Sequence, residues 1–222
     1  MVLYPRILPL GEAAFTVEFG AELNEVLNAR VHGLAAWLDS HPVPGQLETV
    51  PTYHSLLVRY DPLQGDFAEV QAALTGALDG LKATALPEGR LVEIPVRYGG
   101  EWGPDLLGVA EHSGLSPAEV IRLHSSAIYR VAMLGFAPGF AYCFGLPSQL
   151  ATPRLATPRT RVEPGSVGIA GAQAGIYALA TPGGWRIIGR TLERLFDPGR
   201  TEPFGLQAGD RVRFLPVTGG GG

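Results

Sequence analysis

The run His124-Ser125-Ser126-Ala127-Ile128-Tyr129-Arg130-Val131-Ala132-Met133-Leu134-Gly135-Phe136-Ala137-Pro138-Gly139-Phe140-Ala141-Tyr142 decides between two very different molecules. It leads into an uncharged stretch, 131–153, and a second one, 164–185, follows between Glu163 and Arg186. Each is long enough to cross a bilayer. Yet Pro138, Gly139, Gly145 and Pro147 interrupt the first, and glycine and proline punctuate the second from Pro164-Gly165 through Gly168, Gly171 and Gly175 to Pro182-Gly183-Gly184. Such breaks would leave backbone groups without partners in hydrocarbon. The run therefore reads as a helix end giving way to a buried strand, then a Pro-Gly turn flanked by Phe136, Phe140 and Tyr142. Pro138 fixes the first turn dihedral and Gly139 accepts the positive one, as a type II turn requires. Aromatics around a rigid turn either line a pocket or fill a core, and both readings stand.

Working outward, residues 167–171, 175–180, 185–190 and 211–217 read as short strands punctuated by glycine, the pattern of a barrel or sandwich. Upstream, Val92, Ile94, Val96 and Tyr98 alternate with polar residues and Pro95, which suggests an edge strand. Two short helices follow. The second starts at Ser116-Pro117-Ala118-Glu119, where a serine cap, proline at the first helical position and glutamate three residues after the cap act together.

The first part of the chain has a different rhythm. Phe15, Val17 and Phe19 alternate as in a half-buried strand, and Leu23, Val26, Leu27, Val31, Leu34 and Leu38 form the stripe of a helix of about 18 residues ending before His41-Pro42. Residues 47–53 and 55–60 read as a strand pair, and Phe67, Val70, Leu74, Leu78 and Leu81 restore helical spacing. Residues 84–91 carry the turn residues of a linker, which divides the chain into a small α+β domain, 1–88, and a mostly-β domain, 89–222. The Gly219–Gly222 tail is expected to be flexible. Charge divides there too: residues 1–91 hold five basic and eleven acidic side chains, residues 92–222 twelve and ten.

Several function classes drop out. A net charge of −4 and a pI near 5.7 provide no field to gather phosphate backbones. Lys82 is the only lysine, and no glycine-rich loop ends in Gly-Lys-Ser/Thr, so a P-loop is excluded. The five histidines show no paired metal spacing, and no metal site is expected. A single cysteine, Cys143, precludes an internal disulfide and fits a reducing cytoplasm; among aromatics it reads as a small core hydrophobe rather than a nucleophile. The N-terminus lacks the features of a signal peptide. Within 154–190 the basic residues are Arg154, Arg159, Arg161, Arg186 and Arg190, against Glu163 alone. Guanidiniums on the proline-stiffened Thr152-Pro153-Arg154 and Thr157-Pro158-Arg159-Thr160-Arg161 segments would form preorganised forks for carboxylate or phosphate, or stand as solvated loop arginines. Arg186 and Arg190, four apart on one strand, are expected to share a face.

Six segments together carry a family resemblance: Gly99-Gly100-Glu101-Trp102-Gly103-Pro104-Asp105-Leu106, the His124–Tyr142 run, Pro158-Arg159-Thr160-Arg161, Pro164-Gly165-Ser166-Val167-Gly168-Ile169, Gly175-Ile176-Tyr177, and Pro182-Gly183-Gly184-Trp185-Arg186-Ile187-Ile188-Gly189-Arg190-Thr191. Over essentially its whole length the chain resembles the family that unites the 5-oxoprolinase B subunits (PxpB), KipI and allophanate hydrolase subunit 1. Glu163 departs from the neutral residue usual there and would temper a positive pocket.

The resemblance implies a cyclophilin-like β-barrel for 89–222. It further implies a subunit of an ATP-dependent 5-oxoprolinase that opens 5-oxoproline to L-glutamate. The implied partners are a C subunit of the allophanate hydrolase subunit 2 family and an A subunit, with ATP and Mg held in part by a partner and the isolated chain inactive. On this reading Arg159, Arg161 and Arg190 stabilise phosphate charge and His124 transfers a proton or orients substrate. Tyr129, Phe136, Pro138, Gly139, Phe140, Tyr142 and Gln173 would contact substrate. The alternatives are a KipI-like inhibitor that binds a sensor histidine kinase, and a subunit that acts on allophanate or urea-type amides. A prolyl isomerase would rest on fold analogy alone, which does not transmit function.

Overall fold

The computed structural model describes residues 3–81 and 89–217. The chain divides into two compact units, Met1–Pro87 and Glu88–Gly222. Most of the linker expected at 84–91, and the glycine tail, lie outside the described residues.

The first unit is a four-stranded antiparallel sheet, ordered β1 (Arg6–Pro9), β2 (Ala14–Glu18), β4 (Ser55–Tyr60), β3 (Gln46–Pro51), with helices α1 (Glu25–Ser40) and α2 (Phe67–Gly80). Phe15 and Val17 from β2, Leu56 and Val58 from β4, and Val31, Leu34, Val70 and Leu74 from the helices are buried together. Leu23 and Val26 leave the expected stripe: Leu23 precedes α1 and both side chains are exposed, because Asn24 caps the helix by accepting from Val26 N at 2.8 Å. β1 escaped the alternation argument because its four residues end in proline and none is fully buried.

The second unit contains a closed seven-stranded barrel ordered β10 (Gln173–Ile176), β7 (Ala141–Phe144), β6 (Tyr129–Leu134), β13 (Arg211–Pro216), β5 (Leu91–Tyr98), β12 (Arg186–Arg190), β9 (Ser166–Ala170). Every pairing is antiparallel except β5 with β13. Helices α3 (Leu106–Ser113) and α4 (Pro117–Ser126) pack beside it through Val109, Val120, Ile169 and Ile188. A two-stranded sheet pairs β8 (Arg159–Val162) with β11 (Thr181–Gly183). The two uncharged stretches thus form strands and turns, and no helix among the described residues is long and apolar enough to cross a membrane. The capping box at Ser116 and Glu119 is present as expected.

Two expectations are corrected here. β5 is an interior strand of the closed barrel, not an edge. The carbonyls of Arg90 and Val96 accept from Arg211 N and Val217 N on the β13 side, so even-numbered residues bond to β13 and Pro95 faces β12. β12 pairs only with Arg97 and Tyr98, so no ladder bond is lost at Pro95. Arg186 and Arg190 do not share a face. Ile187 pairs with Gly168 but Gly189 with Val167, so one extra residue sits in β12 and the bulge reverses the alternation beyond it.

The Gly99–Asp105 loop is packed on that bulge. Gly99 and Gly100 take positive φ (69° and 53°), Gly103 N donates to Gly99 O, and Gly99 N donates to Ile188 O. A Cβ on Gly103 would sit 1.9 Å from Ile188 O. The motif's last glycine is therefore a close-approach position, and Gly103→Ala is expected to lower the stability of the second unit by about 1–3 kcal/mol, read from the urea midpoint.

His124 ends up in the packing of α4 against β13. It is fully buried, its Nδ1 lies 2.8 Å from Tyr98 Oη in a hydrogen bond, and its ring stacks on Phe214 at 4.6 Å and tilts against Tyr129 at 5.1 Å. Burial lowers its pKa to about 3. Unfolding restores the ordinary value, so the unfolded chain binds the extra proton and stability falls as pH drops below 6.5 towards the folded value. Between pH 6.5 and 4.5 this residue is expected to account for about 2 kcal/mol of acid destabilisation. The loss should disappear in His124→Phe when denaturation is followed across that range.

Candidate functional site

The loop joining β6 to β7 builds the first part of the site. Phe140 N donates to Ala137 O at 3.0 Å around Pro138 and Gly139, whose φ is 77°, so the expected turn is present. A side chain on Gly139 would meet Ala178 Cβ at 2.8 Å and Phe196 Cβ at 2.9 Å. One residue earlier, Ala137 N donates to Gly135 O across Phe136, which is held at φ 64°. That backbone conformation costs a β-carbon residue about 1–3 kcal/mol and is commonly kept where a side chain must be displayed. Phe136 is 65% exposed, whereas Phe140 is 2% exposed.

Phe140 is the hub of an aromatic cluster, with ring centroids 5.7 Å from Phe136, 4.6 Å from Tyr142, 4.8 Å from Tyr177 and 5.4 Å from Trp185. These rings wall a cavity of about 350 Å³, completed by Arg154, Pro158, Pro182 and Gly183 at the end of β11, and Gly184 after it. Its size is at the lower end of small-molecule pockets, about 300–1,000 Å³. Both readings of the aromatics hold: Phe140, Tyr177 and Trp185 are buried core and also line the cavity, while Phe136 stands exposed at its edge. Burial pushes the Tyr177 phenol up to about 12 and raises that of Tyr142, with Arg154 pulling against the shift in both. Both phenols are therefore neutral hydrogen-bonding groups at pH 7.

A smaller cavity of about 140 Å³ adjoins it, lined by Trp102, Arg159, Arg161, Glu163, Arg190 and their neighbours. Pro158 borders the first cavity and Arg159 the second; Trp185 and Ile187 are divided in the same way. Asp105, 8% exposed, organises this wall. Its Oδ1 accepts from Arg159 Nη2 at 2.8 Å and its Oδ2 from Ile187 N at 2.7 Å. Arg159 Nη1 is buried without a hydrogen-bond partner. The Arg190 guanidinium lies over Trp102 at 4.2 Å, its Nε also buried and unpartnered, and Arg97 lies over the same ring at 4.8 Å. Arg161 is the most open of the three and pairs with Glu163 at 2.7 Å, which holds that carboxyl below its ordinary pKa. The tempering role expected for Glu163 is thus directed at Arg161.

The structure brings Phe136, Phe140 and Tyr142 to one cavity and Arg159, Arg161 and Arg190 to the other. Pro138 and Gly139 shape the turn between two lining rings without lining the cavity. His124, Tyr129 and Gln173 border neither cavity: Tyr129 is buried with its hydroxyl donating to His124 O, and Gln173 pairs with Ala170 at the β9–β10 hairpin. Cys143 is a core residue whose thiol burial raises to about 12. Among the described residues no group of three His, Cys, Asp or Glu side chains could hold a metal ion. Residue-type reasoning singled out Arg154 as a possible anion fork but passed over Tyr177, Trp185, Trp102 and Asp105. The Gly-Glu-Trp-Gly and Gly-Gly-Trp segments, where a large ring stands among glycines, were the signal for the two tryptophans.

The family described as "Carboxyltransferase domain, subdomain C and D" matches residues 5–206. The chain is 42% identical to the 5-oxoprolinase B subunit of Bacillus subtilis (strain 168), over 98% of this chain and 95% of that protein. It is 44% identical to the 5-oxoprolinase B subunit of Escherichia coli O157:H7, over 95% of each. Among solved structures, TTHA0988 superimposes with a TM-score of 0.81 at 42% identity, over 93% of this chain and 40% of that chain. The K. lactis urea amidolyase gives a TM-score of 0.76 at 20% identity over 93% of this chain and 14% of that one, a likeness of fold alone. The chain belongs to the carboxyltransferase domain, subdomain C and D, family and is a relative of the 5-oxoprolinase B subunits.

Proposed function

We propose that this chain is the B subunit of an ATP-dependent 5-oxoprolinase, which opens 5-oxoproline to L-glutamate together with a C subunit of the allophanate hydrolase subunit 2 family and an A subunit. The observation that carries the reading is the pair of adjoining cavities, one walled by aromatic rings and one by guanidiniums, on a relative of proteins bearing that name. A lactam resists water because its amide is resonance-stabilised. Transfer of a phosphoryl group to its oxygen makes the ring carbon electrophilic, and water then opens the ring with release of phosphate. The charge that grows on the phosphoryl oxygens needs fixed cations, because their preorganisation avoids reorganisation cost during the reaction.

Arg159 suits that role best. Asp105 holds one of its terminal nitrogens, while the other is buried without a partner. Arg190 and Arg161 add charge to the same wall. The cavity of about 140 Å³ has room for one phosphoryl or carboxylate group and not for a nucleotide, so ATP with Mg²⁺ would be held in part by the partner. Bound there, ATP would supply the phosphoryl group. The exposed edge of the site supports a partner: Phe136 is 65% exposed there, and a dry reaction chamber would need a second surface over it. The barrel would then be of the cyclophilin-like kind and the complex cytoplasmic.

The test is Arg159→Ala in the reconstituted complex. ATP-coupled opening of 5-oxoproline is expected to fall by roughly 10²-fold or more, with assembly of the subunits unchanged by size-exclusion chromatography. Undiminished turnover would remove this assignment.

A further inference from the structure

We infer that the aromatic cavity is a binding site for a small planar ring bearing a carboxylate, with Arg154 as the residue that reads the carboxylate. The inference rests on the lactam reading above and assigns the substrate's two ends to different groups.

Among the described residues Arg154 is the only charged one lining this cavity; the rest of the wall is aromatic rings, prolines and glycines. It makes no ion pair among the described residues, whereas Arg159 is held by Asp105 and Arg161 by Glu163. Its guanidinium lies 5.9 Å from the Trp185 ring centroid, so an apolar face supports it while its donors remain free. Its field reaches the phenols of both Tyr142 and Tyr177, so the polar groups of the wall converge on one space.

The backbone on both sides of Arg154 is pinned. Thr152 is bridged to Gly171 and its hydroxyl donates to Leu150 O at 2.9 Å. Pro153 O accepts from Arg186 Nε at 3.1 Å, and Leu155 N donates to Gly184 O at 2.7 Å. An exposed arginine on so tethered a segment is preorganised, and ordering it on binding costs little backbone entropy. A guanidinium fork accepts a carboxylate through two parallel hydrogen bonds, and the rings of Phe136, Tyr142 and Trp185 offer faces for a flat five-membered ring. Pro158, which lines this cavity, is followed directly by Arg159, which lines the other, so on this inference the ring amide is directed towards that part of the wall.

The experiment compares 5-oxoproline with 2-pyrrolidinone, the same lactam without the carboxylate, on the reconstituted complex carrying wild-type chain, Arg154→Gln or Arg154→Lys. Equilibrium binding is read by calorimetry and turnover by release of the ring-opened acid. The wild type is expected to bind 5-oxoproline about 10- to 100-fold more tightly than 2-pyrrolidinone, the value of a charge-assisted hydrogen-bonded pair. Arg154→Gln should erase that preference by raising KM and Kd for 5-oxoproline, leaving kcat within a few-fold and 2-pyrrolidinone binding unchanged. Arg154→Lys should restore part of it. An unchanged preference in Arg154→Gln, or an equal loss for both lactams, overturns the inference. Carboxylate-dependent binding that needs Arg154 but is followed by no turnover supports the binding site and overturns the hydrolase reading alone.

Discussion

The buried carboxylate of Asp105 is the interaction on which the site depends. One oxygen takes the amide of Ile187 and the other the guanidinium of Arg159, while the Asp105 amide donates to Ile187 O. A single residue at the end of a glycine-rich loop thereby ties the start of α3, the bulge region of β12 and the first residue of β8. A carboxylate so nearly buried needs its charge matched, and Arg159 supplies the match. The same bond fixes the direction of the guanidinium, so that electrostatic satisfaction of the fold and orientation of the candidate catalytic group are one arrangement.

The bulge in β12 is the second requirement. Without the extra residue, strict alternation would place Arg190 on the side of Arg186, beside the helices. With it, Arg190 joins Ile187 along the smaller cavity and lies over Trp102. Gly103 and Gly189 permit the close approach: a Cβ on Gly189 would fall 2.6 Å from Val96 Cγ1 and 2.8 Å from Arg97 O. Both glycines are thus contact positions of a packed barrel wall.

The arginines of 154–190 form a graded set. Arg159 is held by a buried acid, Arg161 by an exposed one whose pairing is worth little, and Arg154 and Arg190 make no ion pair among the described residues. Of the three guanidiniums without an ion pair among the described residues, Arg186 donates to Pro153 O, whereas Arg154 and Arg190 stand one in each cavity, both supported by a tryptophan face. A charge left without a carboxylate partner beside an apolar wall is available to an anionic ligand, and that availability separates these positions from the structural arginine that anchors the wall.

The amino-acid sequence by itself determined the local elements: the α+β order of the first unit, the Ser116 capping box, the Pro138-Gly139 turn and the strand character of the glycine-punctuated stretches. These follow from periodicity and from dihedral limits of proline and glycine, which act within a few residues. Through the motif resemblance it also singled out Arg159, Arg161 and Arg190 as a group. Only the tertiary structure decided that β5 is interior, that Arg190 crosses to the other face, that His124 and Tyr129 are packed away from both cavities, and that Trp102, Tyr177 and Trp185 line the two cavities while Asp105 braces Arg159. The reason is physical: ring closure, a one-residue bulge and burial are set by contacts between segments distant in the chain, and no local pattern of residue types records which partner each side chain will meet.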